Sequence, residues 1–143
     1  MQSCEIKIVR RGDLAAISRL TVMPTVCLVA FQCPAAQPEL DSLVKASLAI
    51  GAESFALYGP HADMLENELD FVLEQGEAAW LNVSTTSHPD ESPQDMAQFV
   101  LHAAYPGATR FRCLLVLDDQ FAAAEALMRE LGAESSGCAE LAG

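Results

Sequence analysis

The stretch TVCLVAFQCPAAQPELDSLVKASLAIGAESFALYG, residues 25–59, contains two short apolar runs on either side of an amphipathic segment. The first run, residues 25–31, is rich in Val and free of charge, which is typical of a strand buried on both faces. Residues 38–52 begin at a proline, place apolar side chains at helical spacing and end at Gly51, so they predict a helix. Residues 54–59 predict the next strand. Together these segments indicate a β-α-β unit with parallel strands.

The same alternation of strand and helix continues along the chain. Helical periodicity and apolar runs predict helices over residues 61–76, 92–107 and 121–133 and strands over residues 78–85 and 111–119. Ser92 is the expected N-cap of its helix, and Asn82 would be a buried amide that must find hydrogen-bond partners. Since the crossovers between parallel strands are right-handed, we predict a small three-layer αβα sandwich, an α/β fold with four mostly parallel strands.

The two ends of the chain follow this pattern less regularly. Residues 4–10 alternate apolar and polar side chains, which predicts a half-exposed strand added at an edge of the sheet. Residues 13–20 predict a short helix, with the second strand of a hairpin as the alternative. Residues 134–143 predict a flexible tail. No linker divides residues 1–143, so we predict a single domain in which residues 1–24 form the edge strand and a basic segment.

The charge of the chain is strongly negative and unevenly distributed. The 143 residues carry a formal net charge of −12, and 51% of them are hydrophobic. We expect neither nucleic acid nor a membrane surface as a partner, because both require Lys and Arg in number. A basic protein partner is favoured instead. Residues 1–19 carry +2 and the rest of the chain carries −14, so the basic start is expected to lie on the protein's own acidic surface.

Cysteine usage and missing motifs restrict the compartment and the cofactors. The five cysteines are odd in number and form no C-x-x-C pair, which indicates a reducing, cytoplasmic compartment and no zinc or other metal site. Residues 20–31 loosely resemble the core of a signal peptide, but Glu5, Asp13 and Pro24 argue against one. Because no glycine-rich phosphate-binding motif is present, we expect no cofactor.

Polar residues follow several of the predicted strands. In an open parallel sheet, ligands bind beyond the carboxyl ends of the strands, near a switch in strand order. Histidine there can act as a general base, and paired aspartates can hold Mg²⁺. For the aspartates we favour an ordinary turn and a helix cap, with Asp119 capping the helix after it, and the histidines are also consistent with ordinary loop positions. The candidate site residues at this edge are His61, Ser84, Thr85, His88, Asp118 and Asp119.

An acidic stripe lies on the predicted helix over residues 61–76. Its members recur at spacings of three or four residues, which places them on one face of a helix; they are Asp63, Glu66, Asp70 and Glu74. No Lys or Arg interrupts this helix, and like charges at such spacings destabilise it by roughly a few tenths of a kcal/mol per pair. The stripe therefore indicates a docking surface for a basic partner, with a solvated face of an acidic protein as the alternative.

Two functions from different classes are consistent with these features. The first, which we favour, is an acidic cytoplasmic binding or inhibitor protein that docks on a basic protein, with the profile of an immunity protein or an antitoxin. The second is a small α/β enzyme or small-molecule binder that uses the carboxyl ends of its strands. The sequence leaves open the strand order and whether the chain forms a homo-oligomer.

Overall fold

Six strands and four α-helices form the part of the chain that the computed structural model describes, residues 3–104, 109–135 and 137–141. The strands are β1 Ser3–Arg10, β2 Thr25–Ala30, β3 Ala52–Tyr58, β4 Ser84–His88, β5 Arg110–Leu117 and β6 Gly137–Glu140. The helices are α1 Gln37–Ala49, α2 Ala62–Gln75, α3 Pro93–Gln98 and α4 Ala124–Glu134. The other helical segments are the 3-10 segments Arg11–Arg19 and Ala78–Asn82 and the π-helical turn Phe99–Ala103. Among these residues, no helix has both the length and the apolar character that a membrane crossing requires.

The strands form one all-parallel sheet in the order β4-β3-β2-β5-β1-β6. From β2 the chain proceeds outward through β3 to β4, and it then returns to place β5 on the opposite side of β2. The winding therefore changes direction between β2 and β5. The space beyond the carboxyl ends of these two strands is the topological switch point, where ligands bind in sheets of this kind.

Alternate residues of the central strands contribute to two separate cores. All six residues of β2 are buried. Cys27 and Val29 pack with residues of α1 and α2 on one face of the sheet, whereas Val26 and Leu28 pack with residues of α3 and α4 on the other. Burial on both faces explains why β2 is a continuous apolar run, and the predicted three-layer α/β architecture is confirmed.

Two helix ends follow the predicted capping chemistry. The turn after α1 contains Gly51, whose φ of 103° is a conformation that side-chain-bearing residues rarely adopt. At the start of α3, the side chain of Ser92 accepts a hydrogen bond of 3.1 Å from the backbone amide of Asp95. The helix predicted over residues 92–107 is α-helical only through α3 and continues as the π-helical turn. Residues 105–107 lie outside the described part of the chain.

The first and last strands differ from the prediction. β1 pairs with β5 along its whole length and with β6 on its other side, so it is an internal strand and not an edge. Alternate side chains of β1, such as Glu5 and Lys7, stay only partly buried although the strand is internal, which is consistent with the alternating pattern. The predicted tail was wrong over residues 137–140, which form β6. Arg11–Arg19 is a short helix, as predicted, and not part of a hairpin.

The chain between α2 and β4 also differs from the prediction. Residues 78–82 form a 3-10 segment and the strand starts only with β4, so the strand predicted over residues 78–85 was wrong except at its last two residues. A Cβ atom on Gly76 would overlap the ring of Trp80, which shows that the indole packs back against the end of α2. Asn82 is exposed and is not a buried amide.

Candidate functional site

Asp118 connects three loops at the switch point. It follows β5 directly, is only 7% exposed, and its Oδ2 accepts hydrogen bonds from the backbone amides of Gln32 at 3.1 Å and Cys33 at 3.2 Å. Oδ1 accepts from the backbone amide of Gln120 at 3.1 Å. Burial raises the pKa of Asp118, but these backbone bonds and the nearby Arg11 outweigh burial and lower it below its ordinary value. The carboxylate is therefore fully engaged inside the protein.

Arg11 occupies the space between the carboxyl ends of β2 and β5. Its Nε and Nη2 donate to the two carboxylate oxygens of Glu39 at 2.6 and 2.8 Å. Nη1 donates to Asp118 at 3.0 Å and to the carbonyl oxygen of Cys33 at 2.9 Å, and Nη2 also donates to the carbonyl oxygen of Pro34 at 2.7 Å. These bonds match the five N–H donors of a guanidinium. A side chain of the protein itself thus fills the position where a ligand would bind.

The guanidinium of Arg11 is further fixed by an aromatic ring. Its central carbon lies 4.1 Å from the ring centroid of Phe31, a cation–π arrangement. The hydrogen bond to Glu39 raises the pKa of Arg11, and burial opposes this rise only in part. Together with the five hydrogen bonds, these contacts hold the guanidinium as a structural element of the switch point.

Arg10 neutralises two more carboxylates beside this position. Its guanidinium donates to Glu140 at 2.8 Å and lies 3.5 Å from a carboxylate oxygen of Asp119. Arg10 and Arg11 of the basic start thus pair with acidic side chains of the protein itself. Asp119 does not cap α4, whose N-cap residue Ala123 makes no side-chain cap. Across the described residues, no group of three or more His, Cys, Asp or Glu side chains could hold a metal ion.

The two candidate histidines are separated from this network. His61 is the half-buried N-cap residue of α2 and makes no side-chain cap. His88 is buried at the end of β4, with Nε2 2.8 Å from the hydroxyl of Thr86 and its ring centroid 4.4 Å from that of Phe99. Its Nδ1 lies 3.6 Å from a carboxylate oxygen of Glu91. The structure therefore does not bring the histidines to Asp118.

The depressions along the carboxyl edge are open. One of about 590 Å³ is lined by Arg10, Asp119 and the start of α4, and another of about 320 Å³ is lined by residues such as Tyr58 and Phe121. Neither His61 nor His88 lines either depression. Ser84 and Thr85 begin β4 and so lie toward the opposite end of the sheet. The six candidate residues of the carboxyl edge do not converge on one site.

The acidic stripe of α2 lies against β4, the strand at one edge of the sheet. The hydroxyl of Ser87 donates to Asp63, and the hydroxyl of Thr85 donates to Asp70 at 2.7 Å. Burial raises the pKa of Glu66, and the neighbouring carboxylates raise it further. We call this surface the acidic edge; it comprises Asp63, Glu66, Asp70 and Glu74 of α2 with Thr85 and Ser87 of β4.

The acidic edge lies in the half of the molecule that carries most of the net charge. Residues 46–109, which include β3, α2, β4 and α3, contain no Lys or Arg. Their ten acidic residues are Glu53, Asp63, Glu66, Glu68, Asp70, Glu74, Glu77, Asp90, Glu91 and Asp95. This segment therefore has a charge of −10, and the rest of the chain, with all eight basic residues, has only −2. The negative potential is concentrated at the β4 end of the sheet.

Residues 6–135 match the model of a protein family described as a domain of unknown function, DUF7684. The chain belongs to the DUF7684 family. The match extends from β1 to the end of α4, and so includes both the switch point and the acidic edge of this DUF7684 domain. No curated protein and no solved structure matches the chain.

Two arginines of this DUF7684 domain were not identified as site residues from the sequence. Arg11 directly follows β1, and a basic residue at the carboxyl end of a strand is the signal that could have found it. Arg112 is buried to 1% exposure inside β5 and donates to the carbonyl oxygens of Thr21 and Ile50 and to the hydroxyl of Thr25. Burial lowers the pKa of Arg112. Its partners are backbone and hydroxyl oxygens of the fold, so its role is structural.

Proposed function

We propose that this DUF7684 domain is a cytoplasmic binding protein whose acidic edge docks on a basic protein partner. The observation that carries the proposal is the charge of −10 over residues 46–109, with no Lys or Arg among them, at one end of the sheet. More specifically, we propose that binding inhibits the partner, as the binding of immunity proteins and antitoxins does.

Electrostatics supports a partner of opposite charge. A one-signed surface raises the local concentration of an oppositely charged protein and accelerates association, and salt screens this effect. Burial is the largest cause of the raised pKa of Glu66, and the neighbouring carboxylates of Asp70 and Asp63 raise it further by repelling its charged form. A Lys or Arg side chain placed beside these carboxylates would relieve their repulsion. The relief of this unfavourable interaction, which is present in the free protein, would strengthen binding.

Apolar side chains next to the acidic edge favour a protein over a small cation as the partner. Met64 and Phe71 of α2 are 39% and 53% exposed, and Leu81 of the following 3-10 segment is 65% exposed. The first two are seven residues apart and so lie on the same side of the helix. Met and aromatic residues are enriched in protein interfaces, which suits a partner that combines basic and apolar residues.

Affinity capture with matched variants tests the proposal. The stripe variant Asp63→Asn, Glu66→Gln, Asp70→Asn and Glu74→Gln removes four charges but keeps oxygen acceptors for Thr85 and Ser87. The control variant Asp13→Asn, Asp119→Asn, Glu125→Gln and Glu130→Gln removes the same charge outside residues 46–109. Each protein is immobilised, exposed to lysate of the source cell at low and high salt, and its bound proteins are identified by mass spectrometry.

We expect the wild-type and control proteins to retain the same basic protein in stoichiometric amount, and the stripe variant to retain about tenfold less. High salt should release the partner from both the wild-type and the control protein. Equal retention by the stripe and control variants would refute docking at the acidic edge. For the inhibitory role, the activity of the captured partner is titrated with the purified domain, and activity unchanged at a 1:1 ratio would refute inhibition.

A further inference from the structure

Within the part of the chain that the structure describes, the outer side of β4 has backbone hydrogen-bonding groups with which no strand pairs. β4 is the end strand of the sheet, and within the described ranges its only strand partner is β3. The carbonyl oxygen of His88 accepts a hydrogen bond from the amide of Gly59 at 3.3 Å, so the backbone of His88 faces β3. Since successive residues of a strand point their backbone groups in opposite directions, the amides and carbonyls of Thr85 and Ser87 face outward.

β4 lacks most of the features that protect exposed sheet edges. Such edges commonly carry Lys, Pro or a β-bulge, which prevent another strand from pairing. β4 has the sequence STTSH and pairs with β3 in regular register over all five residues. Its side chains are compact hydroxyls and one buried histidine, and they leave the outward backbone accessible to another chain.

The acidic stripe has the spacing of alternate residues in an added strand. Glu66, Asp70 and Glu74 follow one another at four-residue intervals, about 6 Å along a helix axis. Alternate residues of a strand, which share a face, are about 6.7 Å apart. Asp63 and Asp70 already contact hydroxyls of β4, so the stripe borders the space that a neighbouring strand would occupy. Basic side chains at alternate positions would therefore meet successive carboxylates.

We propose that the basic partner contributes an extended segment, with Lys or Arg at alternate positions, which adds to the outer side of β4 as a seventh strand of the sheet. This inference rests on the proposed function and specifies how the partner engages the same surface. Charge complementarity selects this occupant over a second copy of the chain, because pairing two β4 edges would juxtapose two segments of charge −10.

The test is an NMR titration of the ¹⁵N-labelled full chain with an eight-residue peptide of alternating Lys and Val, capped at both ends. Two further peptides carry N-methyl groups on one or the other alternate set of residues, which removes the backbone donors on one side. We expect the Thr85 and Ser87 amide protons to move downfield and to exchange at least about tenfold more slowly. Only one methylated peptide should lose binding, by about tenfold or more.

Protein variants separate strand pairing from attraction by charge. Ser87→Pro removes an outward N–H and leaves all carboxylates in place, so it should weaken peptide binding about tenfold. Ser87→Ala removes only the hydroxyl that donates to Asp63 and keeps the N–H, so the further loss of binding in Ser87→Pro beyond that in Ser87→Ala measures the contribution of the outward N–H. Circular dichroism spectra and melting curves of both variants show whether they remain folded.

Three results would overturn strand addition. If both methylated peptides bind equally and only α2 resonances shift, docking by charge stands but the added strand does not. If no peptide shifts any resonance, an extended basic segment is not the ligand, and the proposed function then depends on the capture experiment alone. If the Thr85 and Ser87 amides are already protected in a concentration-dependent dimer, the occupant is a second copy of the chain.

Discussion

Arg11 is the residue on which the arrangement of the carboxyl edge depends most directly. Its guanidinium joins Glu39 of α1, the loop after β2 and Asp118 after β5, which lies 107 residues away in the sequence. A ligand at the switch point would have to displace this side chain and leave Glu39 and Asp118 without the cation that they share. These contacts indicate that Arg11 stabilises the fold at the switch point. The acidic edge is therefore the surface more available to a partner.

Substitution of Arg11 tests this structural role. Arg11→Met should destabilise the protein by about 2–4 kcal/mol, because it leaves Glu39 and Asp118 without their shared partner in a partly buried site. Arg10→Met is the control: Arg10 is 36% exposed on its side chain, and its surface ion pairs should contribute under about 1 kcal/mol. Urea unfolding followed by circular dichroism measures both. Equal losses would contradict the structural role of Arg11.

At the scale of the element, hydrogen bonds between hydroxyls and carboxylates link β4 to α2, where apolar packing would be usual. Thr85 and Ser87 of β4 donate to the carboxylates of Asp70 and Asp63, while the apolar face of α2 packs on the sheet through residues such as Leu65 and Leu69. This polar contact orders the carboxylates along an open strand. It also keeps them close enough to repel one another, so the element is less stable than its packing alone would make it.

Burial and, after it, repulsion by Asp70 and Asp63 raise the pKa of Glu66, so the effect of this carboxyl on stability should depend on pH. A carboxyl whose pKa is raised by folding adds most to the free energy of unfolding below its ordinary pKa, which is about 4.5 for Glu. This stabilisation is lost as the pH rises through the pKa of the folded state. Glu66→Gln should therefore increase stability at pH 7, by roughly a few tenths of a kcal/mol. Urea unfolding at pH 7 and pH 4 should show a gain that shrinks at pH 4. A gain that grows on acidification would reverse the assigned sign.

Alanine substitutions at two glycines should have opposite effects on stability, because one glycine lies in a constrained turn and the other in a helix. Gly59 follows β3 with φ of 130°, and a Cβ there would overlap the carbonyl oxygen of Phe31. Gly59→Ala should therefore destabilise the protein by about 2–4 kcal/mol. Gly132 lies in α4 with open space around it, so Gly132→Ala should stabilise by about 0.5–1 kcal/mol. Thermal unfolding compares them, and a tolerated Gly59→Ala would show that this turn is not constrained.

At the scale of the whole molecule, the order of the strands determines where the charge lies. Because β3 and β4 are placed successively outward from β2, the segment of residues 46–109 forms one end of the sheet. β1, β5 and β6 form the other end, where the arginines next to β1 neutralise nearby acids. The net charge of −12 is thus a strongly one-sided field, which suits recognition of a basic surface.

Salt should stabilise a molecule with this charge distribution. Raising NaCl from about 0.05 to 0.5 M should increase the Tm by ~2–5 °C, because screening weakens the repulsion within the acidic half. In the stripe variant used for affinity capture, the Tm should start higher at low salt and increase less. The control variant should keep most of the salt response, and calorimetry compares all three proteins. Identical salt responses in both variants would show that the repulsion is not concentrated at the acidic edge.

The sequence by itself determined the layers of this protein, because burial on one or both faces leaves a local periodicity that β2, α1, β3 and α2 all carry. The same periodicity exposed the acidic stripe. It could not identify β4, since an edge strand of hydroxyl residues has no apolar alternation, and it could not identify β6, which is formed only by pairing with β1. Only the tertiary structure decided the strand order, the placement of Arg11 at the switch point and the open side of β4. These features depend on contacts between distant segments, and no local pattern of residues records them.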